Sequence, residues 1–117
     1  MNAYSGACHC GEVTFSVDAD LPKQAMSCNC SFCRRKGSLM TFVPAAQFDL
    51  TSRQEALKSY FFNKHRIEHR FCATCGTQAF SAATAPDGAD MRAINLRCVP
   101  EANLEALELK MYDGASV

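Results

Sequence analysis

Cys72-Ala73-Thr74-Cys75-Gly76 has the form of a metal knuckle, and Cys8-His9-Cys10-Gly11 repeats that form near the start of the chain. A C-x-C or C-x-x-C turn aims two thiolates at one centre, and zinc takes four ligands with thiolate among its preferred donors. A glycine directly after the second cysteine lets the backbone turn back through positive φ and present amides to the sulfurs. The two glycine-flanked pairs therefore match one another, and Cys8, Cys10, Cys72 and Cys75 are expected to close one tetrahedral, structural zinc site. They lie far apart in sequence, so the ion would clamp the first strand against the middle of the domain.

A third cluster, Cys28-Asn29-Cys30-Ser31-Phe32-Cys33, brings seven of the eight cysteines into such groups. Three thiolates leave a zinc ion one ligand short, and a three-ligand zinc keeps a position for water or substrate. The pattern thus predicts two zinc ions, one enclosed and one open. Arg34-Arg35-Lys36-Gly37 follows the triplet directly. Three thiolates around Zn²⁺ sum to one negative charge, which adjacent cations would offset. The same cations are candidates to hold an anionic substrate, although a charge run of this kind most often marks a solvated face. Cys98 stands apart, near Leu96 and Val99, and reads as a small buried residue. If it reached the triplet instead, the second site would be Cys₄ and inert.

Other uses of these residues fit less well. An even cysteine count is compatible with a disulfide framework, but short chelating spacings and a reducing compartment argue against one. A thioredoxin-like role for Cys72 and Cys75 lacks a surrounding βαβ unit. His9, between two ligands, is expected to point away or to support the metal shell. His65 and His69, among Lys64, Arg66 and Arg70, read as surface histidines rather than general bases.

With 117 residues, the chain is expected to form a single domain spanning 1–117. The formal net charge is +0 and basic residues are not interleaved with aromatics, which argues against nucleic acid as a partner. No apolar stretch approaches the roughly 18–20 residues of a membrane span. Met1-Asn2-Ala3-Tyr4-Ser5 lacks the basic and apolar regions of a signal peptide, so a cytoplasmic location is expected.

Between the clusters, alternation dominates. Val13, Phe15 and Val17 are apolar with Glu12, Thr14 and Ser16 between them, the period of a half-buried strand. Leu39 to Val43, Leu57 to Phe62, Ile67 to Phe71, Thr77 to Phe80, Met91 to Leu96 and Leu107 to Tyr112 read as further short strands. Asn63-Lys64-His65-Arg66 would turn a hairpin between the second and third of these. Pro44 to Phe48 and Pro100 to Leu107 are each expected to form about one helical turn. Ala82 to Ala89 reads as a flexible loop. The fold class expected is mainly β, with small antiparallel sheets stapled by zinc knuckles.

With the clusters laid out, the chain resembles the glutathione-dependent formaldehyde-activating enzyme family, which includes the centromere-protein-V-like proteins. The matching segments are Cys8 to Phe15, Cys28 to Arg35 and Arg70 to Thr77, together with Tyr112-Asp113-Gly114 near the C-terminus. The resemblance implies a β-tent fold of antiparallel sheets stapled by zinc. It implies a structural zinc on the two glycine-flanked pairs and a catalytic zinc on the triplet. The activity implied is that of a carbon–sulfur lyase that reversibly adds glutathione to formaldehyde, giving S-hydroxymethylglutathione. Cys98 lies outside the family pattern.

The leading expectation is therefore an enzyme acting on a small-molecule thiol or its aldehyde adduct, with Cys28, Cys30 and Cys33 as ligands of the open zinc. Arg34, Arg35 and Lys36 are the candidates to hold glutathione carboxylates through charge-assisted hydrogen bonds. Thiolate activation is favoured over carbonyl polarisation, because three thiolates make zinc electron-rich and mute its Lewis acidity. The competing expectation is a non-catalytic, zinc-stapled binding module whose triplet is filled by Cys98 or is purely structural.

Overall fold

A computed structural model describes residues 3–61, 67–85 and 87–116. The turn expected at 63–66, with His65, lies outside the described residues. The fold is mainly β. A small sheet has the order β1-β2-β5, built from β1 (Tyr4–Ala7), β2 (Thr14–Val17) and β5 (Phe48–Leu50). A larger sheet has the order β10-β3-β4-β9-β8-β7-β6. Its strands are β3 (Gln24–Cys28), β4 (Met40–Pro44), β6 (Leu57–Tyr60), β7 (Glu68–Cys72), β8 (Gln78–Thr84), β9 (Asp90–Asn95) and β10 (Glu108–Tyr112).

Side-chain alternation explains how the sheets meet. In β2, Phe15 and Val17 are buried while Thr14 and Ser16 are only partly covered. Phe15 stacks on Phe48 of β5 with ring centroids 5.5 Å apart, and Phe48 meets Phe80 of β8 at 4.6 Å. That aromatic chain carries the core from the small sheet to the large one. Val13, Ile94, Leu96 and Val99, each at most 2 % exposed, pack around it. Adjacent strands with short connections pair antiparallel throughout, as expected for hairpins.

β10 departs from that rule. It runs parallel to β3, with Tyr112 opposite Cys28, and so delivers the C-terminal segment to the triplet. Several expectations are refined. Ala82 to Thr84 extend β8, and Ala85 O accepts from Gly88 N at 2.8 Å before β9 begins. Helical structure after Pro100 shrinks to a 3₁₀ turn at Leu104–Ala106, while the turn after Pro44 forms at Ala45–Gln47. Among the described residues, no helix is long and apolar enough to cross a membrane.

Candidate metal centres

Two hairpins build the first centre in the same way. Cys8 follows β1 and Cys10 sits in the turn before β2; Cys72 ends β7 and Cys75 sits in the turn before β8. In each, the amide of the first cysteine donates across the turn, Cys8 N to Val13 O at 3.0 Å and Cys72 N to Thr77 O at 2.9 Å. Gly11 (φ 85°) and Gly76 (φ 81°) adopt the left-handed conformation that the sequence pattern called for. Amides then point at sulfur: Val13 N lies 3.3 Å from Cys8 Sγ, and Thr74 N and Cys75 N lie 3.3 and 3.4 Å from Cys72 Sγ.

The four sulfurs lie within 4.8 Å of one another, with Cys8–Cys10 and Cys10–Cys72 both at 3.6 Å. A tetrahedron of Zn–S bonds of about 2.3 Å spaces its sulfurs about 3.8 Å apart, whereas a disulfide needs about 2.05 Å. All eight cysteines are free thiols. The spacing therefore suits a metal ion and rules out S–S bonds. Titration behaviour agrees. Hydrogen bonding to Thr77 takes Cys75 down to about 5. Cys10 is pulled down by the Glu12 backbone, but burial and its three neighbouring thiols push it up to about 12. Four thiols converging on one point cannot all ionise at neutral pH without a cation among them. The set joins the β1–β2 hairpin of the small sheet to the β7–β8 hairpin of the large one.

The triplet is built differently. Cys33 rides on a helix, α1 (Ser31–Lys36), which the sequence reading did not anticipate. Cys28 ends β3, and Cys30 is the helix N-cap, its sulfur accepting from Cys33 N at 3.3 Å. A thiolate there takes the place that serine or aspartate commonly fills. Gly37 stops the helix by donating to Cys33 O at 2.8 Å. The three sulfurs again lie within 4.8 Å of one another, backed by Met40 and Ala93. Burial pushes Cys33 up to about 12, against the pull of Lys36, while backbone and thiol hydrogen bonds outweigh burial to lower Cys30. These donors also fit a thiophilic metal, with one ligand fewer.

The C-terminal segment covers this loop. Asn29 N donates to Tyr112 O at 3.1 Å, Asn29 Nδ2 donates to Asp113 Oδ1 at 3.0 Å, and Ala115 N donates to Asn29 Oδ1 at 2.9 Å. Gly114 is required by close approach: a Cβ there would sit 2.5 Å from Cys28 Sγ and 3.2 Å from Cys30 Cβ. Gly114→Ala is therefore expected to displace Cys28 and weaken metal retention at the triplet by about tenfold or more, as loss of ligand support typically does. Competition with a chromophoric chelator reads this directly.

The structure separates the residues of the basic run. Arg34 and Arg35 are exposed, and Arg35 Nη1 bonds back to Ser31 O at 2.7 Å. Lys36 turns inward, its Nζ 4.9 Å over the ring of Phe32. His69 corrects an expectation. It is 5 % exposed rather than a surface residue. β7 turns it toward Phe32, with ring centroids 4.5 Å apart, and its Nδ1 lies 3.2 Å from Gln78 Nε2 and 3.3 Å from Ser81 Oγ. Burial, reinforced by Lys36, pulls it down to about 4, so it is neutral at physiological pH. Nothing in the sequence placed His69 against Phe32 or the C-terminal tail against Asn29, because each contact depends on long-range strand pairing.

Cys98 is 8 % exposed and its thiol lies 3.7 Å from Gln78 O and from Asn95 Nδ2. Burial and the nearby Cys8 and Cys75 push it up to about 11. It therefore belongs to the surroundings of the four-cysteine set, beside a cleft of about 310 Å³ that Cys8 and His9 also line.

The fold compares well with a solved structure. A crystal structure of a Rhodobacter sphaeroides protein, a structural-genomics target, superposes with a TM-score of 0.76 at 26% identity, covering 91% of this chain and 99% of that one. The family model described as glutathione-dependent formaldehyde-activating enzyme matches residues 3–111, a span that contains every cysteine of both centres. With both sulfur clusters inside that match, the chain belongs to the glutathione-dependent formaldehyde-activating enzyme family.

Proposed function

We propose that the protein is a zinc-dependent carbon–sulfur lyase acting on a thiol–aldehyde adduct, with glutathione and formaldehyde as the reference pair. The observation that carries this reading is the asymmetry of the centres among the described residues, four convergent thiols in one and three in the other. Cys8, Cys10, Cys72 and Cys75 would hold a structural zinc, and Cys28, Cys30 and Cys33 a second. Bound at the triplet, zinc supplies the positive charge that keeps an incoming thiol ionised at neutral pH. The reaction then needs only proximity. The substrate thiolate attacks the aldehyde carbon, a C–S bond forms, and the carbonyl oxygen takes a proton from water; the reverse steps cleave the bond.

The chain's own groups shape that event. Phe32, beside Cys33 in α1, packs its ring against the neutral His69, while the tail from Tyr112 to Ala115 braces the loop bearing Cys28 and Cys30. Arg34 and Arg35, both exposed on α1, would meet the carboxylates of a peptide thiol. The alternative of a binding module whose triplet is filled by Cys98 is disfavoured, because that thiol is engaged with Gln78 and Asn95. The test is NMR exchange spectroscopy of glutathione and formaldehyde with the metal-loaded protein. Adduct exchange should exceed the buffer rate; no acceleration with both metals bound removes formaldehyde activation.

A further inference from the structure

Lys36 is the last residue of α1, and its ammonium is sealed from water with no hydrogen-bond partner among the described residues. A buried cation with no acceptor is costly, and native structures resolve such cases with an anion. The exposed ends of Arg34 and Arg35 leave Lys36 as the member of the run that is directed inward. Its surroundings are the Phe32 ring at 4.9 Å and, beyond it, the buried His69. Lys36 stands one turn after Cys33 on α1; burial lowers its pKa, while Cys33, Cys30 and Cys28 raise it again.

Charge arithmetic gives that placement a consequence. A divalent ion with three thiolates carries one negative charge, and an anionic fourth ligand would have to join a centre already of its own sign. One fixed cation alongside brings the sum to zero before the ligand arrives. A neutral ligand gains little from this, and an anionic one gains much.

We propose that Lys36 is the specificity-determining residue of the triplet, selecting an anionic group, here the thiolate of the substrate, for the position that the three cysteines leave open. The proposal rests on the reading of the triplet as an open metal site, and it divides the basic run between two tasks. Lys36 sets the affinity for the reacting sulfur, whereas Arg34 and Arg35 face the remainder of the molecule.

The test uses the full chain loaded with cobalt(II), whose absorption bands report the ligands of the triplet. The probes are 2-mercaptoethanol, which brings a thiolate and no other charge, and imidazole, which binds as a neutral ligand. Replacing a partly buried cation next to an anion is expected to change affinity by roughly tenfold or more. Lys36→Met should therefore raise the dissociation constant for 2-mercaptoethanol by about that factor and leave imidazole within about twofold. Lys36→Arg, which keeps the charge, should stay within about threefold of the original for both. Equal thiol binding in the Met variant overturns the proposal, as does a parallel loss of thiol and imidazole, which marks a packing role. Loss of the second cobalt in the Met variant also overturns it, since Lys36 would then be counter-charge to the cysteines alone. If the unaltered protein holds two cobalt ions and neither band responds to thiol, the open-site reading fails as well.

Discussion

Cys72→Ser is expected to unfold the domain. Cys72 is 1 % exposed, its sulfur accepts two backbone amides, and it lies 3.6 Å from Cys10. Structural zinc sites contribute apparent binding free energies of about 10–16 kcal/mol, against a total stability of about 5–15 kcal/mol for a typical domain. With zinc held by Cys8, Cys10, Cys72 and Cys75 as proposed, removing one of the four would forfeit a large share of that energy. It would also release the proposed metal cross-link between the β1–β2 and β7–β8 hairpins. The expected result is a chain with fewer bound metals per molecule by native mass spectrometry and no cooperative thermal transition by circular dichroism. A variant that keeps its metal count and melts as before would show that the aromatic chain Phe15–Phe48–Phe80 holds the sheets together unaided.

That prediction rests on features readable from residues alone. The likeness of Cys8-His9-Cys10-Gly11 to Cys72-Ala73-Thr74-Cys75-Gly76 identified which cysteines belong together, because a knuckle is a local object: its turn, its glycine and its amides lie within a few residues. Alternation at Val13, Phe15 and Val17 was legible for the same reason. The triplet's architecture was not. Ser31 to Lys36 is too short a helix for a periodic signal, and its cysteines concealed it behind the spacing of a knuckle. β1 and β3 carry too few alternating apolar residues to stand out. The parallel pairing of β10 on β3, which brings Gly114 against Cys28, joins segments from opposite ends of the chain and has no local signature. The burial of His69 and the inward turn of Lys36 were not legible, since charge and polarity indicate a surface position unless tertiary contacts provide for burial. Both sit against Phe32, and Gln78 and Ser81 satisfy the histidine.

Cys30→Ser is expected to give the opposite outcome to Cys72→Ser: a folded protein without the reaction. Cys30 caps α1 through its side chain, and serine is among the best residues at that position. The hydroxyl preserves the bond to the Cys33 amide, and Asn29 still ties the loop to Tyr112 and Asp113. What serine removes is a thiolate, leaving Cys28 and Cys33 as a two-sulfur set that holds zinc poorly at neutral pH. The four-cysteine centre, built on other hairpins, is unaffected. The variant should therefore melt cooperatively and retain one metal ion in place of two. Its acceleration of glutathione–formaldehyde exchange should fall by about three orders of magnitude, or about 4 kcal/mol of barrier. Stability and chemistry would then lie in separate sulfur clusters, with Cys72→Ser losing the first and Cys30→Ser only the second. Should Cys30→Ser keep both metals and full exchange activity, the triplet is not where the thiol reacts.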